Sequence, residues 1–403
     1  MKSTIHVLLT ALMFCIYLSL DTTDPVKGSK VDDRNKSGYT YTVNISKINS
    51  KYSEIACTTF RNKLVLVSSK KIGGLGNGVD PATNEPFTDL FCTDIEAYGK
   101  LSQPLLFSRI LNTKANEGQV AFSPDEHTIY FTRSERTNSL NYKLFKAELE
   151  KDSYGNWINE MELPISSDNY SIENPHVSSD GKHLYFSSNM KGGLGGFDIY
   201  KAEIKADGSI GKSINLGNTI NTSQDEKYPH ISKDGKELFF SSKGHNSIGG
   251  YDVFISSITK SNYKNPRNLG YAVNSEKDEI AFVFIDEKKG VFSSNKDNKN
   301  NAFNLYRFQS RAIYQELNGI VITEDNRILP NATVLLLNSE GQEIERQVTS
   351  NDATYRFKIK AFEDYQLKVV KDGYKDYSLK FQSEENQFKA ILKLSSKVSY
   401  NQK

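Results

Sequence analysis

The feature that most limits what this chain can become is a phrase that it repeats. Pro175-His-Val-Ser-Ser-Asp-Gly-Lys-His-Leu-Tyr-Phe-Ser-Ser188 is followed by Gly192-Gly-Leu-Gly-Gly-Phe-Asp-Ile-Tyr200, and Pro229-His-Ile-Ser-Lys-Asp-Gly-Lys-Glu-Leu-Phe-Phe-Ser-Ser242 by Gly249-Gly-Tyr-Asp-Val-Phe254. Weaker copies are Ile55 to Ser69, Val120 to Phe131 and Ile280 to Ser294. Taking the residue before the Ser-Ser position as the mark gives Val67, Phe131, Phe186, Phe240 and Phe292, at steps of 64, 55, 54 and 52 residues. An insertion from Asn77 to Thr88 accounts for the long first step. A fixed period of this length signals an array of like supersecondary units, none of which can bury its apolar face alone.

Each unit reads as short strands. Leu184-Tyr-Phe-Ser and Leu238-Phe-Phe-Ser are aromatic runs bounded by turn residues. The Ser-x-Asp-Gly before each is a tight turn, because Asp bonds nearby backbone and Gly accepts positive φ. Phe197-Asp-Ile-Tyr and Tyr251-Asp-Val-Phe open a third strand, and Ser213 to Leu216 and Arg267 to Gly270 a fourth. Four antiparallel strands per unit make a propeller blade, and a closed ring hides sheet edges. The expected fold is therefore all-β, with a five-bladed propeller over residues 39–311 closed by pairing of Tyr41-Thr-Val-Asn-Ile45 with the last blade. A sixth blade would need another copy of the aromatic Ser-Ser strand.

The repeated phrase resembles the WD-like (TolB-type) propeller repeat, and its Gly-Gly-Leu-Gly-Gly-Phe-Asp form resembles the variant found in Bacteroidetes envelope proteins. After Arg311 the phrase stops. Strand-like segments follow at Leu317–Thr323, Ala332–Leu337, Gln342–Val348, Tyr355–Ile359, Tyr365–Val370 and Tyr377–Phe381, in the span expected of a small β-sandwich. Gly319, Val321, Pro330, Ala332, Val334, Leu336, Tyr355, Phe357, Tyr365, Leu367, Val369, Lys371, Gly373 and Tyr374 resemble the carboxypeptidase regulatory-like (transthyretin-like) domain over residues 316–395. Ala353-Thr354 stands where that pattern has Gly, which is expected to loosen one turn. Such domains are non-catalytic spacers or docking units. The combination resembles the central part of PorE-like proteins of the type IX secretion system and OmpA-family lipoproteins. Helical repeats before the propeller and an OmpA-like domain after it are not readable here, so peptidoglycan binding is not carried over.

The chain has 403 residues, 37% of them hydrophobic, and a formal net charge of +2, which implies neither nucleic acid nor an acidic partner. Lys2 and the apolar run Ile5 to Leu20 make residues 1–20 a candidate signal peptide or N-terminal anchor, too short for a spanning helix. Leu12-Met-Phe-Cys15 has the outline of a lipoprotein box, with Phe14 where a small residue is usual, so Cys15 is either a lipidation candidate or an apolar residue of the signal. Residues 21–38 read as a flexible tether and 396–403 as a tail. Export to the periplasm or association with the outer membrane is the expectation. Cys57 and Cys92 fall on the first and third strands of one blade, about 10 Å apart and beyond disulfide reach, and read as buried free thiols.

No cofactor is expected. A Gly-rich loop that joins strand to strand does not open a helix, so it is no phosphate cradle. These loops share the usual binding face of a propeller. Gly192, Gly193, Leu194, Gly195, Gly196 and Phe197, with Ile248, Gly249, Gly250 and Tyr251, are the candidate partner-binding residues, taken to present exposed aromatics to an envelope or secretion-system protein, or to a glycan. His176 and His230 are candidate channel-lining residues, with Ala56, Ala121 and Ala281 taken as their equivalents in the other units. A histidine pair without a third ligand is more often structural than metal-binding. Glu54, Glu173, Glu226 and Glu279 are placed near the channel rim, where a glycosidase would need carboxylates. Their recurrence argues for a structural part. The expected function is a non-enzymatic envelope scaffold, the alternative a glycan-binding propeller or glycoside hydrolase.

Overall fold

The computed structural model describes residues 32–70, 78–81, 86–135, 138–259, 262–298, 300–383 and 388–396. The signal segment, Cys15, most of the tether, the glycines at 73–76 and most of the tail lie outside them. The described chain is all-β apart from a 3-10 turn at Ala97–Gly99. Among the described residues no helix is long and apolar enough to cross a membrane.

Residues 39–312 form five four-stranded antiparallel sheets. Strands a to d are Glu54–Phe60, Lys63–Ser68, Asp89–Asp94 and Leu105–Leu106 in sheet 1, and Glu117–Phe122, Thr128–Ser134, Tyr142–Leu149 and Trp157–Glu162 in sheet 2. Sheet 3 has Ile172–Val177, His183–Ser188, Asp198–Glu203 and Ile214–Asn215; sheet 4 has Glu226–Ile231, Glu237–Ser242, Asp252–Ser257 and Arg267–Asn268. Sheet 5 takes Glu279–Phe284, Lys289–Ser294 and Asn304–Ala312, and its outer strand is the N-terminal Tyr39–Ile45, paired antiparallel to Asn304–Ala312. The a strands touch in a closed cycle, each against the next and the fifth against the first. Five apolar clusters fill the five junctions; Val65, Leu90, Ile129 and Phe131 lie between sheets 1 and 2, and Leu66, Phe91, Val283 and Leu305 between sheets 5 and 1. Both faces of each b strand are thus buried, which is why these strands read as continuous apolar runs rather than alternating ones.

Register corrects one alignment. Phe131, Phe186, Phe240 and Phe292 pair with Phe145, Tyr200, Phe254 and Tyr306 on strand c, and the residue paired in the same way in sheet 1 is Leu66, opposite Phe91. Val67 is one place too late. Ser68, not Ser69, faces Asp89 as Ser188 faces Asp198.

The turns form as their residues dictate. Ser178 Oγ and the Lys182 amide both donate to the Asp180 carboxylate, and Gly181 has φ +70°. These a–b turns and the c–d turns leave the ring on one face, the b–c and d–a loops on the other.

Residues 314–394 form a three-stranded sheet, with Tyr314–Thr323 between Thr354–Lys360 and a parallel Phe388–Leu394, and a four-stranded one, Glu343–Val348, Thr333–Asn338, Asp364–Val370 and Tyr377–Gln382. Leu317, Val321, Val334, Leu336, Phe357, Leu367, Val369 and Leu392 make one core between them. The turn before Tyr355 is not loosened. Ala353 takes the left-handed conformation itself, φ +60°, and its amide donates to the Ser350 carbonyl at 2.9 Å. This unit docks on the a–b/c–d face. Lys360 Nζ lies 3.0 Å from Glu237 and 2.8 Å from the Tyr39 hydroxyl, Lys264 lies 2.9 Å from Asp364, and Arg267 donates to the Phe362 carbonyl. The b–c/d–a face is left uncovered by it.

Candidate functional site

The glycine-rich loops are built by their own aspartates. Asp198 accepts the Leu194 amide at 2.6 Å, the Gly195 amide at 2.9 Å and the Asn215 side-chain amide at 2.7 Å. Asp252 does the same in sheet 4, from Ile248 at 2.7 Å, Gly249 at 3.3 Å and Asn268 at 2.7 Å. The amides of Leu194, Gly195, Ile248 and Gly249 are therefore already taken by carboxylates of the chain itself. Each loop also locks onto the d–a loop that follows. Asp225 accepts the Phe197 amide and Asp278 the Tyr251 amide, both at 2.9 Å. Glycine is required by close approach: a Cβ on Gly195 would sit 1.8 Å from the Gln224 carbonyl oxygen, and one on Gly249 2.5 Å from that of Ser275.

The aromatics are not exposed as expected. Phe197 is half-buried beneath the Lys227 ammonium, 3.6 Å from the ring centre. Tyr251 is half-buried beneath Lys243 at 4.6 Å, with its hydroxyl 3.2 Å from Asp225. Stacking each ring under an ammonium satisfies both and removes them from the contact surface. Among the apolar side chains of the candidate residues Leu194 is the exposed one, with half of its surface open (50%).

Three of the four glutamates do not rim the channel. Glu54, Glu226 and Glu279 are buried at the first position of strand a, where each carboxylate collects hydroxyl donors. Thr222 Oγ1 and Ser242 Oγ donate to Glu226 at 2.7 and 2.6 Å; Ser275 Oγ and Ser294 Oγ donate to Glu279 at 2.7 and 2.6 Å; Ser50 Oγ donates to Glu54 at 2.5 Å. Glu117 fills the same position in sheet 2, paired with Arg133 at 3.0 Å. Burial raises all four carboxyls above the ordinary range, Glu117 to about 7 in spite of its arginine. Such shifts often mark catalytic acids, but here a closed set of donors explains where the groups sit. Glu173 stands one residue further on, with Ile172 in the buried position, and pairs with Lys227 at 2.8 Å.

His176 and His230 do come together on the ring axis, their ring centres 4.5 Å apart. They line one cavity with Cys57, Asn174, Tyr228 and Phe282. Their equivalents are Thr58, Ala121 and Val283, opposite Val65, Tyr130 and Val291, as His176 and His230 are opposite Tyr185 and Phe239. Ala56 and Ala281 lie two residues before those positions; every a strand carries a bulge between its paired halves, and Asn174, Tyr228 and Ala281 occupy it with φ of 53–56°. Neither the bulge nor Asn174, whose Oδ1 is buried and unpartnered, could be found from the pattern of the repeat. Among the described residues no group of three or more His, Cys, Asp or Glu could hold a metal ion. Cys57 and Cys92 are free; Cys57 is buried, its thiol pushed up to about 12, whereas Cys92 is only half-buried.

The Ile231 amide donates to His176 Nε2 at 3.0 Å. Burial, then the neighbouring His230, hold His176 well below its ordinary range, and burial holds His230 near 4. Groups that are harder to protonate when folded stabilise the fold fully above their unfolded value of about 6.5 and lose that contribution as pH falls through the folded value. Stability should therefore drop by a few kcal/mol from pH 6.5 to 4. The raised glutamates act in the opposite sense, so the histidine part is read by difference. Urea midpoints at both pH values should converge in a His176→Phe, His230→Phe variant, and an unchanged pH slope in that variant would refute the assignment.

No protein-family model matches the chain, and no curated protein sequence matches it. Solved structures similar to it include TolB from Acinetobacter baumannii, at 17% identity and TM-score 0.31, covering 62% of this chain and 53% of that one. The α-L-arabinofuranosidase from Lactobacillus brevis has 10% identity and TM-score 0.42, with coverage of 76% and 98%; a thermostable family-43 glycoside hydrolase has 12% and 0.42, with 67% and 92%. The chain spans about half the length of the Acinetobacter TolB. Likenesses at this level carry no activity across.

Proposed function

We propose that the protein is a non-enzymatic scaffold of the cell envelope, a five-bladed WD-like propeller of TolB type whose uncovered face docks a protein partner of the outer membrane or of type IX secretion machinery. The transthyretin-like β-sandwich, of the carboxypeptidase regulatory-like kind, braces the opposite face. An N-terminal signal or a lipid anchor at Cys15 would bring the chain to the periplasm or the outer membrane. The observation that carries this reading is the commitment of the buried glutamates to hydroxyl donors inside their own sheets, while the b–c and d–a loops above them stay uncovered by the C-terminal unit. Affinity capture by the full chain from detergent-solubilised envelopes, beside a Leu194→Asp, Ile248→Asp variant, tests it. One partner held by the parent and lost by the variant is expected. No stable partner, or equal recovery by both, would reject it.

A second reading, glycan binding or hydrolysis, is favoured by the axial cavity, where His176, His230, Tyr228 and the unpartnered Asn174 Oδ1 converge. An oligosaccharide screen showing binding or turnover that His176→Ala abolishes would move the assignment there.

A further inference from the structure

The uncovered face concentrates two kinds of exposed side chain. Ile110 (52% exposed) in the loop between sheets 1 and 2, Leu140 (69%) and Leu194 (50%) in b–c loops, and Tyr271 (56%) between sheets 4 and 5 all stand on it. Exposed Lys47, Lys51, Arg109, Lys114, Lys191 and Lys277 share it, and none has a carboxylate partner among the described residues. On three loops the cation and the apolar residue lie on one short segment: Arg109-Ile110, Lys191 with Leu194, and Tyr271 with Lys277. Exposed carboxylates without a cation partner on this face are fewer, Glu276, Asp297 and, at the entry of the chain, Asp33 among the described residues; Asp297 accepts the Tyr306 hydroxyl, and Asp168 and Glu135 share Lys143. The turns of the opposite face mix signs more evenly, with Asp125, Glu150, Asp152, Asp207 and Glu287 exposed among their lysines.

We infer that this face seats on an anionic lipid surface, its lysines and arginine among the headgroups and the loop tips entering the interface. Three features favour lipid over an acidic protein. The apolar residues are separate tips on different sheets rather than one patch. The cations are nearly all lysine, which protein interfaces deplete at their centres and lipid-binding surfaces use. The described chain also enters on this side, where Arg34 reaches the Asn246 carbonyl oxygen of a b–c loop at 3.5 Å, and the apolar run Ile5 to Leu20 precedes that entry in sequence. The Leu194 tip is fixed from within, its amide donating to Asp198. The inference goes beyond the docking proposal and does not need it, although a membrane-embedded partner would be met on such a face.

The test is co-sedimentation of the full chain with phosphatidylcholine vesicles with and without phosphatidylglycerol, at low and high salt. Binding that requires phosphatidylglycerol and weakens with salt is expected. Arg109→Glu, Lys191→Glu, Lys277→Glu together should weaken it on the order of a hundredfold, from roughly a tenfold factor or less per cation near a charged bilayer. Lys205→Glu, Lys212→Glu, Lys233→Glu on the opposite face leave the N-terminal run and the net charge change identical and should leave binding near the parent's. Leu194→Asp should weaken it about tenfold, from the loss of one inserted side chain. Soluble poly-L-glutamate supplies charge without a bilayer and should bind far more weakly. The inference falls if the parent ignores phosphatidylglycerol, if both triple variants bind alike, if Leu194→Asp has no effect, or if poly-L-glutamate binds as tightly as the vesicles. The assay contains no partner protein, so failure of the docking proposal leaves its outcome unaffected.

Discussion

Gly195→Ala is expected to destabilise the protein by about 3 kcal/mol or more, because the new methyl group has nowhere to go. It would meet the Gln224 carbonyl oxygen at 1.8 Å and that of Thr222 at 2.7 Å, both backbone atoms of the next d–a loop. A flexible side chain could swing aside; this loop cannot, since Thr222 and Asp225 are themselves bonded to Glu226 and Phe197. Gly155→Ala is the control, with nothing within 4 Å of its Cβ, and should stay within about 0.5 kcal/mol of the parent. Urea midpoints decide it. Equal midpoints for the two variants would mean that the b–c loop does not pack on its neighbour as described.

Glu279→Ala should cost about 3–5 kcal/mol, since it strips three donors of their acceptor in a fully buried site. Ser275 Oγ and Ser294 Oγ and the Ser275 amide, at 2.7, 2.6 and 2.7 Å, would all be left without it. Glu279→Gln should cost less, because one oxygen remains to accept. The sign matters for function as well as for fold. A carboxylate kept for catalysis is commonly a liability to stability, and its removal is neutral or stabilising. If Glu279→Ala raised the urea midpoint, the structural part assigned to this glutamate would be wrong and the hydrolase reading would gain.

Much of the architecture was legible because it is written locally and more than once. An aromatic pair with Ser-Ser, an Asp-Gly turn before it and an Asp at the start of the third strand each act over a few residues, so period and pattern expose them. The N-terminal strand on the last sheet has no such local signal; it follows from ring closure, because one outer strand is missing there and one segment remains. The site was less legible. Val67 was one residue out because apolar runs buried on both faces carry no alternation to set register. Two of the three histidine equivalents, Ala56 and Ala281, fall two residues early because the a strands of sheets 1 and 5 lack the Pro-His pair that would mark their register. The glutamates were assigned to the rim because hydroxyl partners four residues earlier and a strand away cannot be recognised as one group from spacing alone. No local signal marks the contact of Lys360 with Glu237 and Tyr39, which joins three distant stretches of chain.

The repeat by itself determined that this chain is all-β, that its units are four-stranded, and that glycine and aspartate recur at the same turns, since each follows from backbone preferences and hydrogen bonds between near neighbours. Only the tertiary structure decided that the glycines serve packing against the next sheet, that the aromatics lie under lysines, and which face the C-terminal unit leaves open. Those outcomes depend on which atoms meet across the ring, and distances across the ring are set by closure, bulges and register rather than by any single stretch of residues.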